Sequence, residues 1–249
     1  TYNNNDTLGT ISYQGGASSS FVYDNLNRVT GMTNTLGGTY VNTYSYTYDN
    51  IGNQLTKTDN TGTTSYQYDE VNRLKSVEEP DGTATEYAFD QNGNIMTKSI
   101  AHPSSYSYKF KQGGTEYTMG NIATHTVNYT YDKNNRLLLE REFVGGDGEA
   151  YSGLVESTTQ YESDANGNTL KQTKSGQIDM QVVEYVYDEL NRLTQYTDAE
   201  DSVTSYTYDY NGQRLSKTVD GVTTGFVWDR GYIINETKGN VKTTNLVGI

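Results

Sequence analysis

The chain has 249 residues, a formal net charge of −13 and a mean hydropathy of −0.79. This composition is typical of a disordered chain, but the 24 tyrosines contradict that assignment, because their rings can be buried although hydropathy scales score them as polar. The sequence has no cysteine, which excludes a disulfide framework and a thiol nucleophile. The sequence contains no run of about 18 apolar residues, so no membrane-spanning helix is predicted. Its acidic charge opposes binding to nucleic acid.

A short motif, aromatic–x–aromatic–Asp, recurs along the chain. It first occurs at Phe21–Asp24 and last, in altered form, at Phe226–Asp229. The nine copies end in Asp24, Asp49, Asp69, Asp90, Asp132, Asp164, Asp188, Asp209 and Asp229. Most of these aspartates are 20 to 25 residues apart, with longer gaps of 42 and 32 residues after the fourth and fifth copies. A recurring interval of this kind indicates a tandem structural unit.

Each copy predicts a β-strand that carries a pair of rings. Alternate side chains lie on the same face of a strand, so the two rings of a copy share one face. The residue directly before the aspartate is Tyr23, Tyr48, Tyr68, Phe89, Tyr131, Tyr187, Tyr208 or Trp228, and Ser163 is the exception. We expect the seventeen rings to be buried, which would contribute about 25–50 kcal/mol before chain entropy is subtracted.

The residue three positions after the aspartate is asparagine or glycine in the first eight copies. These residues are Asn27, Gly52, Asn72, Gly93, Asn135, Gly167, Asn191 and Gly212. Asparagine and glycine are the residues that best tolerate a positive φ angle. An aspartate at the first position of a type I turn accepts hydrogen bonds from backbone N–H groups two residues on. The pattern therefore predicts a type I turn with a bulge, followed by a second strand.

The next position alternates between two kinds of turn. It holds Arg28, Asn53, Arg73, Asn94, Arg136, Asn168, Arg192 and Gln213, so Asn-Arg turns alternate with Gly-Asn turns. One hypothesis is a structural period of two units, in which the arginine pairs with the turn aspartate of a neighbour. The other is that the arginine row binds an anionic ligand, although the acidic balance of the chain disfavours it.

The predicted fold class is all-β: one long antiparallel meander of tandem hairpins with sixteen to eighteen strands. A sheet of this length must curl, because strands twist, so we expect a spiral or shell segment. Residues 1–249 are predicted to form a single array, with repeat units over about 21–236, an irregular insertion at about 100–125 and a tip loop at about 144–153. Exposed edge strands at its ends would favour self-association.

The motif resembles the YD repeat of the RHS family over about residues 21–236. Tyr66–Leu74, Tyr129–Leu137 and Tyr185–Leu193 match the family pattern Tyr-x-Tyr-Asp-x-x-(Gly/Asn)-(Asn/Arg)-x-Leu almost letter for letter. Members of this family include bacterial wall-associated and polymorphic toxins, shell components of insecticidal toxin complexes, and teneurins. The resemblance implies a sheet that spirals into a hollow shell around a C-terminal toxin or effector segment.

The resemblance also implies that the chain is part of a larger protein. Shells of this family are normally closed by a self-cleaving Asp-Pro-x-Gly motif, which this sequence lacks. We therefore expect a fragment of a large secreted or cell-wall protein, and its partners to be the remainder of the parent shell and the effector. The alternative is a cell-surface adhesion module that binds cell-wall glycan or another protein through exposed tyrosines.

No catalytic, cofactor-binding or metal-binding residue is predicted, and the chain is not expected to be an enzyme. His102 and His125 lie in the least regular part of the sequence and belong to no catalytic motif. The loops that begin at Asp90 and Asp164 resemble calcium loops in composition, but their glycine is at the fourth position, where an EF-hand loop has it at the sixth, and no glutamate follows in the required place. We interpret the row of aspartates as structural.

Overall fold

The structure, a computed structural model, describes residues 1–103, 107–119, 122–146, 156–176 and 179–244. Within these ranges it contains twenty-two strands and no helix. The chain divides into two compact units. The first comprises Thr1–Tyr108, Met119–Val127 and Val144–Ser152, and the second comprises Lys109–Thr118, Asn128–Phe143 and Gly153–Ile249.

The first unit is an antiparallel meander in which each strand from β1 to β9 pairs with the next. Its strands are β1 (Thr10–Ser12), β2 (Ala17–Tyr23), β3 (Val29–Leu36), β4 (Thr39–Tyr48), β5 (Gln54–Asp59), β6 (Gly62–Tyr68), β7 (Leu74–Glu78), β8 (Ala84–Phe89) and β9 (Ile95–Ala101). They are rich in tyrosine and threonine, which suit a pleated, half-exposed surface.

The chain then forms a separate two-stranded sheet of β10 (Tyr108–Gln112) and β11 (Thr115–Met119). It continues with β12 (Ile122–Tyr131), which pairs with β9, and β13 (Leu137–Gly146). The segment predicted to be an irregular insertion therefore carries a regular hairpin. The predicted tip loop lies outside the described residues from residue 147 to 153.

The second unit repeats the meander, since each strand from β13 to β22 pairs antiparallel with the next. Its remaining strands are β14 (Glu156–Ser163), β15 (Thr169–Gly176), β16 (Gln181–Tyr187), β17 (Leu193–Thr197), β18 (Val203–Tyr208), β19 (Arg214–Val219), β20 (Val222–Asp229), β21 (Tyr232–Lys238) and β22 (Val241–Thr244). The all-β antiparallel meander is confirmed. The predicted number of strands is too low, because β1, β10, β11 and β22 lie outside the nine motif copies.

A one-residue register shift recurs within the Asp-turn hairpins. In the first of them, Val22 pairs with Gly31 but Tyr23 pairs with Val29, so Thr30 has no opposite residue. The same shift precedes the last ring of the strand at Tyr48, Tyr68, Phe89, Tyr187, Tyr208 and Trp228. Bulges of this kind bend a strand and increase its twist, so these seven hairpins carry the same bend at the same place.

The rings are only half-buried, which corrects the expected energetics. Tyr46 and Tyr48 are both partly exposed, and the apolar side chain of Val22, on the opposite face, is 62% exposed. Among the residues whose burial the structure describes, Val144 is the one apolar residue that is fully buried. Because the described strands bury so little apolar surface, the sum of about 25–50 kcal/mol for buried rings is too large. Hydrogen bonds and ion pairs therefore contribute more to specifying this fold than the aromatic-rich composition suggests.

Candidate functional site: the row of aspartate turns

Each of the first eight motif aspartates closes its own turn. At Asp69, Oδ1 accepts hydrogen bonds from the backbone N–H groups of Val71 at 3.0 Å and Arg73 at 2.9 Å. The backbone N–H of Asn72 also donates to the Asp69 carbonyl at 3.0 Å, which completes the turn. The same pair of Oδ1 bonds occurs at Asp24, Asp49, Asp90, Asp132, Asp164, Asp188 and Asp209.

The left-handed backbone predicted three residues after the aspartate is present in all eight turns. The asparagines have φ angles of 60° (Asn27), 64° (Asn72), 61° (Asn135) and 59° (Asn191). The glycines have φ angles of 104° (Gly52), 91° (Gly93), 94° (Gly167) and 84° (Gly212). Other residue types adopt these angles only with strain.

The arginine of each Asn-Arg turn connects that turn to the next. Arg28 donates from Nε to Asp24 Oδ2 at 2.7 Å and from Nη1 to the backbone carbonyl of Asp49 at 2.7 Å. Its guanidinium carbon lies 4.8 Å from the ring centroid of Tyr48, within cation–π range. Arg73, Arg136 and Arg192 repeat both hydrogen bonds, the second to the carbonyls of Asp90, Asp164 and Asp209.

This geometry corrects the predicted partner of the arginine. The arginine pairs with the carboxylate of its own turn, and it reaches the neighbouring turn through a backbone carbonyl. The structural period of two units is therefore real. The donors of Arg28 point at protein oxygens, which disfavours the hypothesis of an anion-binding row.

The Gly-Asn turns make the complementary connection through an amide. Asn53 Nδ2 donates to Asp49 Oδ2 at 2.9 Å and to Oδ1 of Asn72, in the following turn, at 3.2 Å. Asn168 does the same with Asp164 and with Asn191, both at 2.8 Å. The positive-φ residue of an Asn-Arg turn thus also supplies an acceptor, which glycine cannot do. This acceptor role accounts for asparagine at positions 72 and 191.

The tyrosine before the aspartate joins its own unit to the preceding one. The hydroxyl of Tyr48 donates to the carbonyl of Val29 at 2.7 Å, and that of Tyr68 donates to the carbonyl of Gln54 at 3.0 Å. Tyr23, Tyr208 and Trp228 make the corresponding bonds to Leu8, Leu193 and Arg214. The expectation of buried rings did not include these hydrogen bonds. The sequence signal for them is the preference for tyrosine or tryptophan, which carry a polar group at the ring, directly before the aspartate.

The last copy departs from the pattern. Asp229 is the final residue of β20 and pairs with Tyr232 across a two-residue turn, Arg230–Gly231, with φ angles of 49° and 87°. The turn predicted for the first eight copies therefore does not extend to Asp229. Two positive φ angles in a two-residue loop are typical of a type I′ hairpin.

Seven turn carboxylates are stabilised in their charged form. The pKa of Asp69 is lowered from its usual value of 3.8, chiefly by the hydrogen bond from the backbone N–H of Arg73. At Asp90, the largest cause of the lowered pKa is the side-chain amide of Asn94. The carboxyl pKa values of Asp24, Asp49, Asp132, Asp164 and Asp188 are lowered as well. These groups are ionised hydrogen-bond acceptors at neutral pH.

The described residues offer few candidate catalytic or metal-binding groups outside the aspartate turns. His102 and His125 interact electrostatically. The pKa of His102 is lowered first by its partial burial and then by the charge of His125. The described residues hold no group of three metal-ligating side chains. They also include no helix with the length and apolar character that a membrane crossing requires.

Comparison with known proteins identifies the family. The teneurin YD-shell family model matches residues 2–147, and the RHS repeat model matches residues 187–224. The chain belongs to the YD-shell family of RHS-repeat proteins. It is 31% identical over 280 aligned positions to the tRNA3(Ser)-specific nuclease WapA of Bacillus spizizenii, covering 87% of this chain and 11% of that protein.

The meander of this YD-shell chain is similar to solved structures of toxin complexes. It aligns with the crystal structure of TcdB2-TccC3-Cdc42 with a TM-score of 0.55 and 18% identity, covering 96% of this chain and 14% of that one. For the Photorhabdus luminescens Tc holotoxin pore, the TM-score is 0.52 at 16% identity, with the same coverage of 96% and 14%. At this identity the likeness shows the fold. The chain spans only a small part of each of these relatives.

Proposed function

We propose that residues 1–249 form one repeat array and serve as a non-catalytic wall segment of a large secreted or cell-wall RHS/YD-repeat protein. That protein encloses or displays a C-terminal toxin or effector. The observation that carries this proposal is the chain of contacts from turn to turn: Arg28 reaches Asp49, Asn53 reaches Asn72, and Arg73 reaches Asp90. Such contacts fix the spacing of successive hairpins, which is what a wall built from repeats requires.

The state of the carboxylates also favours a structural role. A general acid at neutral pH needs a raised pKa, whereas the pKa values of Asp69 and Asp90 are lowered. Oδ1 of each accepts backbone N–H groups of its own turn, and Oδ2 of Asp69 accepts from Arg73. The carboxylate oxygens of these aspartates therefore accept hydrogen bonds that stabilise their own turns. WapA is named as a nuclease, but the aligned part is 11% of its length.

Protease protection in the parent protein tests enclosure. The region downstream of residue 249 is expected to resist trypsin in the intact parent and to be digested in a parent that lacks residues 1–249. A matched deletion of similar length in the downstream region serves as the control for general loss of structure. Equal digestion of the downstream region with and without residues 1–249 would contradict enclosure.

Adhesion is the second candidate, because several tyrosines lie outside the half-buried ladder. Tyr40 is 75% exposed and Tyr210 is 92% exposed. Exposed rings of this kind can stack on sugars. Saturable binding to purified cell-wall polysaccharide, lost in Tyr40→Ala/Tyr210→Ala and retained in Tyr68→Phe, would establish adhesion. Equally weak binding of the unmodified protein, the double alanine variant and Tyr68→Phe to the polysaccharide would reject adhesion.

A further inference from the structure

The β10–β11 hairpin has an anchor that no repeat motif explains. Its two-residue tip is Gly113–Gly114, with φ angles of 59° and 74°. The backbone N–H of Gly113 donates to Asp179 Oδ1 at 2.8 Å, and that of Gly114 donates to Oδ2 at 3.1 Å. Each carboxylate oxygen therefore takes one N–H, from residues more than sixty positions away in sequence.

The tip is suited to hold a carboxylate. In a two-residue hairpin with positive φ angles, the N–H groups of the loop point away from the hairpin's own ladder, and successive backbone N–H groups form a concave site for an anion. A Cβ atom at Gly113 or Gly114 would meet no atom within 4 Å, so the glycines serve the backbone conformation and not a close approach. The two N–H bonds also lower the pKa of Asp179, with that from Gly113 as the larger cause.

The other contacts described for the hairpin restrain it only weakly. An isolated two-stranded hairpin is only marginally stable in water. The ion pair across it, Lys109 Nζ to Glu116 Oε1 at 3.2 Å, joins side chains that are 65% and 54% exposed, and such exposed pairs add little stability. Of these described contacts, the charge-assisted one with Asp179 is the stronger restraint.

We propose that the β10–β11 hairpin is a strap and that Asp179 is its latch. Loss of the carboxylate frees the strap while the aspartate-turn meander of the second unit remains folded. The hairpin can then open without breaking the contacts between turns. The inference rests on the hairpin and Asp179 alone and does not depend on the proposed shell role.

Amide hydrogen exchange tests the latch. In Asp179→Ala, exchange of peptides covering residues 109–119 should accelerate about tenfold, because hydrogen bonds to a charged group are lost. Exchange in β18 should not change. Gly113→Asn is the matched control, since asparagine tolerates the same φ and keeps both N–H donors. Unchanged exchange at the hairpin in Asp179→Ala would overturn the proposal, as would equal acceleration in the hairpin and β18.

A distance measurement covers the case in which Asp179→Ala folds poorly. The sequence has no cysteine, so spin labels at Thr118→Cys and Gln181→Cys report the separation of the hairpin from the start of β16. The distance distribution should be narrow with Asp179 and broad with the isosteric Asp179→Asn. The same distribution in both proteins would refute the latch.

Discussion

Arg28 binds two successive turns at once, through the carboxylate of Asp24 and the backbone carbonyl of Asp49, each at 2.7 Å. The planar guanidinium makes this possible because its N–H groups diverge in a fixed fork. The ring of Tyr48 beneath it belongs to the second of the two turns. An Asn-Arg turn and the Gly-Asn turn that follows it therefore form a single packing unit.

Replacement of Arg73 by lysine should weaken this unit although the charge is retained. Lysine can reach the Asp69 carboxylate, but it cannot at the same time bond to the carbonyl of Asp90 and stack on Phe89, whose ring centroid lies 4.5 Å from the guanidinium carbon. We expect Arg73→Lys to lower the melting temperature by about 2–4 °C. Arg230→Lys, the same change at an exposed turn, should leave the melting temperature unchanged. Equal melting temperatures for both variants would exclude a connecting role for Arg73.

The hydroxyl of Tyr68 should contribute to stability independently of its ring. Tyr68→Phe removes the hydrogen bond to the carbonyl of Gln54 and leaves that acceptor partly buried. We expect a loss of about 0.5–1.5 kcal/mol in the free energy of unfolding, measured by urea denaturation. Tyr66→Phe, in the same strand, is the control and should cost less. The hypothesis fails if the two phenylalanine variants are equally stable.

The turns could be predicted because their chemistry is local. A positive φ restricts the position three residues after the aspartate to asparagine or glycine, and the carboxylate bonds lie within five residues, as at Asp69–Arg73. The hairpin at β10–β11 had a comparable signal, the pair Gly113–Gly114 between two short β-prone runs. The repeat motif does not predict this hairpin, because residues 108–119 carry no copy of it.

The contacts between turns could not be predicted, because they depend on the distance between hairpins. Asp24 and a neighbouring turn aspartate are both plausible partners for Arg28 in sequence, and only the spacing of the turns selects the Asp49 carbonyl. Ring burial was overestimated for a related reason. Alternation shows that Tyr46 and Tyr48 share a face, but it does not show how much of that face is covered.

Acid should destabilise the protein through the turn carboxylates. The pKa of Asp69 is lower in the folded protein than its usual 3.8, so the unfolded chain binds the proton more tightly. The stabilisation is then complete above about pH 4 and is lost as the pH falls through the lowered value. Thermal melts from pH 6 to pH 2.5 should show a falling melting temperature at the acid end. In Asp69→Asn the decrease in melting temperature at low pH should be smaller. The same decrease in both proteins would show that Asp69 does not contribute.

Gly93 offers a test of backbone strain without a steric clash. Its φ is 91°, and a Cβ atom there would meet no atom within 4 Å. Gly93→Val should therefore destabilise by about 1–3 kcal/mol through conformation alone, because β-branched residues resist positive φ. Gly93→Asn should cost much less, since asparagine occupies the same position at Asn27, Asn72, Asn135 and Asn191. Chemical denaturation of both variants separates the two effects. If valine and asparagine were equally tolerated, the left-handed turn would not be what selects glycine here.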